Sequence, residues 1–363
     1  MKILYVITAL AQGGAERVVC DLADKMYEKG HQVKIIYLVG DVQKYPTNKE
    51  IELVKANLTN ILSLPKVCLL LSKTIKDYRP DVLHSHMVHA NILTRLVRML
   101  VPINKLISTA HNSNEGGKLR MLVYRITHKL ADVTTNVSNE AVKAFEIMRA
   151  VPCDEMRAIY NGIDLDRFFY DLNARSEIEQ ELNINSDDKI ILAVGRLSEQ
   201  KDYPNLLNAI HALKKECDFA FKLIIVGEGE LRALIENIID RLDIRDNVVL
   251  LGRRDDIPQL MSAADLFVLP SKYEGFGLVV AEAMACQCLV VATDCGGVAE
   301  VLNNPDFLIP PSNAIALKNK MKFALELTDE DRVNTLDKNL NYVRKNFSLE
   351  DIVKKWIDIY NGQ

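Results

Sequence analysis

The chain has 363 residues, of which 48% are hydrophobic and 26% charged, a balance typical of a globular protein and unlike that of a disordered one. Its length predicts two domains. The formal net charge of −4 is uneven, with +8 in residues 1–150 and −12 in residues 151–363. Either the first part faces an anionic partner, such as nucleic acid, an anionic membrane or a phosphorylated lipid, or its charges are simply solvated.

The seven cysteines and the apolar segments predict a cytoplasmic protein. The number of cysteines is odd and no C-x-x-C pair occurs, which is typical of reduced thiols. The apolar start, Met1–Leu10, is short and enters a Gly-Gly turn, so we expect a buried strand rather than a signal peptide. No run of about 18 apolar residues occurs, so no transmembrane helix is expected.

Strands and helices alternate along the first half of the chain. The predicted strands are Lys2–Thr8, Gln32–Val39, Asp81–Ser85, Lys105–Thr109 and Asp132–Val137. The predicted helices are Ala15–Lys29, Val67–Tyr78, Asn91–Leu100 and Leu119–Leu130. Apolar strands separated by helices of this length indicate a parallel sheet covered on both faces.

The alternation restarts after an Asn161-Gly162 turn and a polar, helix-bearing linker at 171–188. The predicted strands are Lys189–Val194, Lys222–Val226, Val248–Leu251, Leu266–Leu269, Leu289–Ala292 and Phe307–Ile309. The predicted helices are Tyr203–Lys214, Glu230–Leu242, Ile257–Ala263, Leu278–Ala285, Val298–Leu302 and Leu349–Tyr360. We therefore predict an α/β fold with domains 1–165 and 166–345, and a final helix in 346–363 that can return to the first domain. Ligands of such sheets bind at the carboxyl ends of the strands, so a cleft between the domains is expected.

The most informative motif is residues 271–285 (SKYEGFGLVVAEAMA), where a strand leads through two glycines into a helix. Free amides at a helix N-terminus bind phosphate, helped by the helix dipole. Glu282, in the second turn, can hold a ribose. Glu274 lies on the loop, seven intervening residues before it, and can contact a second group of the same ligand. The spacing of the two glutamates alone would also fit two solvent-facing carboxylates. The strand, glycine turn and helix around them argue against that alternative.

This wording resembles the retaining glycosyltransferases of family 4, and the resemblance extends over essentially the whole chain. That family has the GT-B fold, in which two Rossmann-like, doubly wound domains face each other across a cleft. The resemblance implies that Glu282 bonds the ribose hydroxyls and that Glu274 lies beside the donor sugar. It further implies that the distal phosphate is held by the backbone amides of Phe276, Gly277 and Leu278, and that Gly275 of the same loop belongs to the nucleotide-sugar site.

Other strand ends supply further candidate residues. Gly195 is followed by two cations, Arg196 and Lys201, whose charge and geometry suit a diphosphate. The resemblance implies that they neutralise the leaving pyrophosphate, and removing either should slow turnover by roughly 10²–10³. The alternative for both cations is an ion pair with Asp202 or Glu199. The resemblance also implies that the backbone of Arg253 pairs with the base.

In the first half, Gly13 and Gly14 join the first strand to the first helix, where glycine amides suit an anion. The resemblance implies that this loop lies over the donor diphosphate and the acceptor, and that His111, after a strand end, contacts the donor sugar. His84 and His86 are more simply explained as structural. No fourth ligand with zinc-site spacing accompanies the histidines.

We expect no cofactor and no required metal, the nucleotide-sugar being a substrate. Asp164 and Asp166 form a D-x-D pattern, which marks metal-dependent glycosyltransferases of a different fold. Here the pattern lies at the predicted domain joint. Arg196 and Lys201 already supply positive charge where a metal would otherwise be needed.

The predicted function is transfer of a hexose or N-acetylhexosamine, with retention, from a nucleotide-sugar to a saccharide acceptor. UDP is preferred over GDP or ADP only because it is frequent in the family. Segments Asn91–Leu100 and Lys118–Arg125 mix bulky apolar residues with cations. One interpretation is peripheral contact with the anionic inner face of a membrane, with a lipid-linked acceptor of surface-polysaccharide synthesis and no nucleic-acid partner. The other is that these segments are ordinary helices packed on the sheet. The alternative functions are a nucleotide-sugar 2-epimerase and a non-catalytic nucleotide-sugar sensor.

Overall fold

The computed structural model describes residues 1–11, 13–113 and 115–362, and the chain forms two compact units. Unit 1 comprises Met1–Gly162 together with the C-terminal stretch that begins at Leu349, and unit 2 comprises Ile163–Ser348. The predicted limits at 165 and 345 each lie three residues from these boundaries.

The described residues of unit 1 form a parallel seven-stranded sheet in the order β3-β2-β1-β4-β5-β6-β7. The strands are β1 (Lys2–Ala9), β2 (Gln32–Val39), β3 (Glu52–Lys55), β4 (Val82–His86), β5 (Leu106–Ala110), β6 (Val133–Asn136) and β7 (Met156–Ala158). The helices that follow them are α1 (Gly14–Glu28), α2 (Leu64–Tyr78), α3 (Val88–Val97), α4 (Lys118–Thr127) and α5 (Asn139–Ile147). The strand order reverses between β1 and β4, which is the topological switch point of a doubly wound sheet.

The described residues of unit 2 form a second parallel sheet, of six strands in the order β10-β9-β8-β11-β12-β13. The strands are β8 (Lys189–Val194), β9 (Phe221–Val226), β10 (Val248–Gly252), β11 (Leu266–Leu269), β12 (Leu289–Thr293) and β13 (Leu308–Ile309). The helices are α6 (Ala174–Leu182), α7 (Tyr203–Glu216), α8 (Arg232–Arg241), α9 (Ile257–Ala263), α10 (Leu278–Ala285), α11 (Val298–Leu302), α12 (Ala314–Leu325), α13 (Asp329–Phe347) and, returning to unit 1, α14 (Leu349–Asn361). The predicted α/β fold with two doubly wound sheets is confirmed.

Each face of the unit 1 sheet is covered by helices. On one face α1 and α14 pack against β1 and β2, where Val353, Trp356 and Tyr360 of α14 are at most 4% exposed. On the other face α2 and α3 bury Leu71 and Val97. Burying each large apolar side chain contributes about 1.5–3 kcal/mol, so α14 is held to unit 1 by its apolar stripe.

The predicted elements differ from the observed helices and strands in two ways. The prediction omitted the short edge strands β3 and β7 and the helices α5, α12 and α13. It also placed α3 at Asn91–Leu100, whereas the helix spans Val88–Val97 and turns Arg95 into the core. Among the described residues, no helix is long and apolar enough to cross a membrane.

Candidate active site

Three neighbouring strands of unit 2 end on glycines that touch one another. The amide of Gly195 donates to Val226 O at 2.9 Å, and the amide of Gly227 donates to Gly252 O at 2.8 Å. Gly227 has φ +144°, and a Cβ there would lie 2.0 Å from Gly195 O. Only glycine fits this position, which lets the three strand ends pack closely together. The Val226–Glu230 segment that contains Gly227 would by itself be only a weak sign of dinucleotide binding.

Lys201 and Glu274 meet at this edge of the sheet. Lys201 Nζ lies 2.5 Å from Glu274 Oε1, and the side chains are 17% and 11% exposed. Ser271 Oγ donates to the same carboxylate oxygen at 2.7 Å. Lys201 therefore pairs with a second predicted site residue, Glu274, and not with Asp202 or Glu199, the acids of the alternative prediction. The Lys201 ammonium and the Glu274 carboxylate therefore lie at the same place on this edge of the sheet.

Backbone contacts hold these two loops together. Lys201 ends a 3-10 turn, and the preceding Gln200 donates through Nε2 to Tyr273 O at 2.9 Å. The amide of Lys272 donates to Gln200 O at 2.8 Å. A Cβ at Gly195 would lie 3.0 Å from Lys201 Cε, so the lysine stem crosses the strand end where glycine leaves room. The position of Lys201 is fixed by its loop as well as by its ion pair.

Arg196 is far more exposed. Its Nη2 lies 3.3 Å from Glu230 Oε2, and the two side chains are 70% and 55% exposed. Exposed pairs of this kind contribute about 0–1 kcal/mol. The guanidinium can therefore exchange Glu230 for the diphosphate of a ligand at little cost.

The loop before α10 has the form that an anion site requires. Gly277, the N-cap, has φ +85° and no side chain to accept from the first-turn amides. Gly296 has φ +54°, and a Cβ there would lie 1.9 Å from Glu274 O, so a second glycine lets the 294–297 loop support the first. Phe276 packs edge-on against Phe347 with ring centroids 5.5 Å apart. These contacts orient the residues from Gly275 to Leu278 as a rigid turn.

The remaining predicted residues of unit 2 flank this turn. Glu282 lies within α10 and is 4% exposed. Arg253 is exposed and directly follows Gly252, whose φ is +66°. Unit 2 thus brings together Gly195, Lys201 and Glu274 by direct contact, and Arg196 follows Gly195 in the chain.

In unit 1, Gly13 caps α1 in an extended conformation and Gly14 begins the helix. A Cβ at Gly13 would lie 2.4 Å from Glu16 Oε2, so the Glu16 carboxyl folds over this turn. Burial raises the pKa of Glu16, which favours its neutral form.

His111 follows β5 and belongs to a buried polar network. Its Nε2 lies 3.0 Å from His86 Nδ1, and its backbone amide donates to Glu115 Oε1 at 2.8 Å. Glu115 also accepts from the Tyr124 hydroxyl at 2.8 Å. Burial lowers the pKa of His111 to about 4, and burial raises the pKa of Glu115 to about 7. His111 is therefore a neutral imidazole at neutral pH.

Sequence reasoning missed Glu115 and Ser271. The signal for Glu115 was its place between His111 and the Gly116-Gly117 pair, since both glycines have positive φ and the loop turns sharply there. Ser271 begins the SKYEGFG segment, but a serine after a strand has many local uses. Only the fold reveals that its hydroxyl bonds Glu274.

Within the described chain, no group of three or more His, Cys, Asp or Glu side chains is placed to hold a metal ion. In the D-x-D segment, the amide of Asp166 donates to Asp164 Oδ1 at 3.1 Å. Those two acids therefore shape a local turn.

Comparison with known proteins finds similar families, sequences and structures. The model of Glycosyltransferase Family 4 matches residues 12–167, and the model of Glycosyl transferases group 1 matches residues 174–340. The chain is 26% identical to the N-acetyl-alpha-D-glucosaminyl L-malate synthase of Bacillus anthracis, over 99% of this chain and 97% of that protein. It is 28% identical to the UDP-Gal:alpha-D-GlcNAc-diphosphoundecaprenol alpha-1,3-galactosyltransferase of Escherichia coli, over 80% and 77%. The Anabaena protein HepE, solved in complex with UDP and glucose, superposes with a TM-score of 0.87 at 23% identity, covering 100% of both chains.

Two doubly wound sheets, with glycine-lined strand ends and a Glu-bearing turn before a helix, define a glycosyltransferase of the GT-B fold. The two family models cover consecutive parts of the chain and leave only short segments unmatched. The chain belongs to glycosyltransferase family 4, as its sequence motifs predicted, and is a transferase enzyme.

Proposed function

We propose that the protein is a retaining glycosyltransferase that transfers a hexose or N-acetylhexosamine from a UDP-sugar without a metal. The observation that carries this proposal is the Lys201–Glu274 pair, half-enclosed at the end of β8 beside the glycine turn of α10. Lys201 supplies a fixed positive charge for the leaving diphosphate, and Glu274 lies where a donor sugar joined to that diphosphate would be.

The chemistry follows from these charges. The bond between the anomeric carbon and the phosphate oxygen breaks, and the electron pair goes to the diphosphate. Lys201 and Arg196 stabilise that charge, which is the largest electrostatic change of the step. The acceptor hydroxyl forms its bond to the anomeric carbon on the face that the diphosphate leaves, and its proton passes to a phosphate oxygen. This accounts for retention without a protein nucleophile.

The choice of donor and acceptor rests on relatives. The Escherichia coli relative is named for UDP-galactose and a diphosphoundecaprenol-linked sugar, and HepE was solved with UDP. We propose a UDP-sugar donor and, as acceptor, a saccharide carried on a lipid diphosphate in surface-polysaccharide synthesis.

An exposed surface of apolar and cationic side chains on unit 1 supports a lipid-linked acceptor. Of the two segments that the sequence singled out, α3 is packed on the sheet, with Arg95 fully buried and Arg98 Nη1 2.7 Å from Asp132. On α4, by contrast, Leu119, Leu122 and Ile126 are 74%, 48% and 72% exposed. The exposed cations of this region are Lys118, Arg120, Arg125 and Lys129. Apolar residues flanked by cations on one helix face suit an anionic bilayer surface.

The first test is thermal stabilisation by UDP, GDP, ADP and NAD with a chelator present. A ligand at 100 times its dissociation constant adds about 2.7 kcal/mol. We expect a shift with UDP, followed by transfer from a UDP-hexose whose anomer, read by NMR, is unchanged in the product. A shift with GDP or ADP alone would contradict the UDP donor. Activity that chelator abolishes would contradict metal independence, and product of inverted configuration would contradict retention.

The membrane surface has a separate test. Vesicles containing phosphatidylglycerol should carry the protein upward in flotation at low salt, and Leu122→Ser should reduce that binding. Leu234→Ser, at an α8 position with the same 48% exposure in unit 2, is the matched control. Equal binding to purely neutral vesicles, or equal loss in both variants, would argue against the α4 surface.

A further inference from the structure

His86 is the last residue of β4, and its partner in the sheet register is Thr109 of β5. Thr109 precedes His111 by two residues in the chain. It is 1% exposed. Its Nδ1 lies 3.0 Å from His111 Nε2, which makes it a direct hydrogen-bond partner of the ring that the family resemblance places against the donor sugar. Two strand ends that are neighbours in the sheet thus present their imidazoles as a pair.

The bond between the two rings couples their tautomers. A neutral imidazole carries one N–H and one acceptor nitrogen. If His86 Nδ1 donates, His111 must carry its proton on Nδ1; if His86 Nδ1 accepts, His111 must carry it on Nε2. Burial lowers the pKa of both rings below the ordinary range, so both are neutral and this rule applies. The nitrogen that His111 offers a ligand therefore depends on the tautomer of His86.

The second nitrogen of His86 indicates that the pair is built for a polar group. Within the described residues, His86 Nε2 is buried without a hydrogen-bond partner. The His86 side chain is one of those that line a cavity of about 10 Å³, together with Thr109, His111, Asn161 and Trp356. That volume holds about one water molecule or one hydroxyl group. A buried nitrogen without a hydrogen-bond partner costs about 1–3 kcal/mol, so a hydroxyl group that bonds His86 Nε2 would recover that cost.

His84 provides the contrast. It lies on the same strand, and its ring centroid is 4.0 Å from that of His86. Its own nitrogens are both engaged away from His111, by the Tyr360 hydroxyl at 2.8 Å and by Thr109 Oγ1 at 2.7 Å. Removing His84 leaves Tyr360 with Tyr5 and leaves Thr109 with Thr135. His84 is thus structural, whereas His86 bonds directly to the candidate site.

We infer that His86 is a positioning residue, which fixes the ring orientation and tautomer of His111 and binds one hydroxyl group, of water or of a carbohydrate, through its second nitrogen. The inference rests on the proposed function for the contact between His111 and the donor sugar. Loss of this support displaces a reacting group without touching the diphosphate contacts of unit 2. Misplacement of this kind costs on the order of 10²-fold in rate.

The test compares His86→Leu, His86→Asn and His84→Leu with the wild type, measuring kcat for transfer from UDP-glucose and UDP-N-acetylglucosamine and the affinity for UDP. We expect His86→Leu to lower kcat by roughly 10- to 100-fold with UDP affinity unchanged. Asparagine retains a polar atom near the Nδ1 position, so His86→Asn should recover much of the loss, and His84→Leu should stay near wild type. Wild-type kcat in His86→Leu, no recovery in His86→Asn, or an equal loss in His84→Leu would each overturn the inference.

A spectroscopic measurement keeps the inference separate from the proposed function and from the folding of the variants. In wild-type protein labelled with ¹⁵N in histidine, His111 should occupy one tautomer only. A mixture of tautomers in the wild type would overturn the inference whatever the enzyme transfers. A single tautomer, together with absence of transfer from every UDP-sugar tried, would instead count against the proposed function alone. Adding sucrose distinguishes the two hydroxyl sources: a shift of the His86 ¹⁵N resonances would identify a carbohydrate hydroxyl, and unchanged resonances would identify water.

Discussion

Replacing Lys201 by methionine tests the candidate site most directly, because it removes one charge of a close pair and keeps the stem. The two side chains are 17% and 11% exposed and 2.5 Å apart. Removing one partner of a buried pair lowers the free energy of unfolding by about 3–5 kcal/mol. Because this pair is partly exposed, we expect a loss of about 3 kcal/mol. In a unit of this size that corresponds to a melting temperature lower by roughly 6–12 °C.

Glu274→Gln and the double variant separate stability from catalysis. In the double variant no uncompensated charge remains, and residue 274 can still accept from Ser271, so most of the lost stability should return. Turnover should not return, because the leaving diphosphate has lost the charge of Lys201 and retains only that of Arg196. We expect Lys201→Met and the double variant each to be slower than wild type by roughly 10²–10³.

Calorimetry and initial-rate measurement on the four proteins decide the matter. A Lys201→Met enzyme that is destabilised yet turns over at the wild-type rate would make the pair structural and remove Lys201 from the mechanism. A double variant that stays as unstable as the single one would show that the ion pair is not what holds the two loops together.

Four further substitutions have expected outcomes. Arg196→Ala should slow turnover by roughly 10²–10³ with the free energy of unfolding nearly unchanged, because its pair with Glu230 is exposed; a large loss of stability would contradict this. Burial raises the pKa of Glu115 to about 7 from 4.5, so its contribution to stability is full below pH 4.5 and is lost as the pH rises through 7. Glu115→Gln should therefore gain stability relative to wild type above neutral pH, by up to about 3 kcal/mol, and a difference independent of pH in calorimetry would refute it. Gly227→Ala should cost about 3 kcal/mol or more, since its Cβ would lie 2.0 Å from Gly195 O, whereas Gly14→Ala, with nothing within 4 Å, should be neutral or slightly stabilising in the same denaturation assay.

Sequence reasoning located elements best where turn signals bounded short apolar runs. β8, β11 and helices α9, α10 and α11 begin and end at the predicted residues. It failed for α13, because that helix is polar and buries only Asn339, Val343 and Phe347. Yet Thr328 accepts from the amide of Asp331, and Ser138 likewise caps α5 by accepting from Ala141, so N-cap signals were readable where periodicity was weak.

The contacts of the candidate site could not be predicted in the same way. Lys201 and Glu274 each follow a strand, but their contact depends on β8 and β11 being neighbours, and β9 and β10 intervene in the chain. The same holds for His86 and His111, which meet because β4 and β5 pair in register. Local signals indicate which strand ends carry chemistry, and strand order decides which of them touch.

The excess positive charge of the first half illustrates why a net count does not locate a binding surface. Arg95 is fully buried, and Arg98, Lys34 and Lys55 pair with acids of the same unit. The exposed cations of the 118–129 region are four, and at about 1 kcal/mol each near an anionic bilayer they supply about 4 kcal/mol. That corresponds to a dissociation constant only near 1 mM. Useful membrane affinity therefore requires insertion of the apolar side chains of α4 as well as the charge of these cations. If Leu122→Ser still bound vesicles at high salt, these two contributions could not account for the binding.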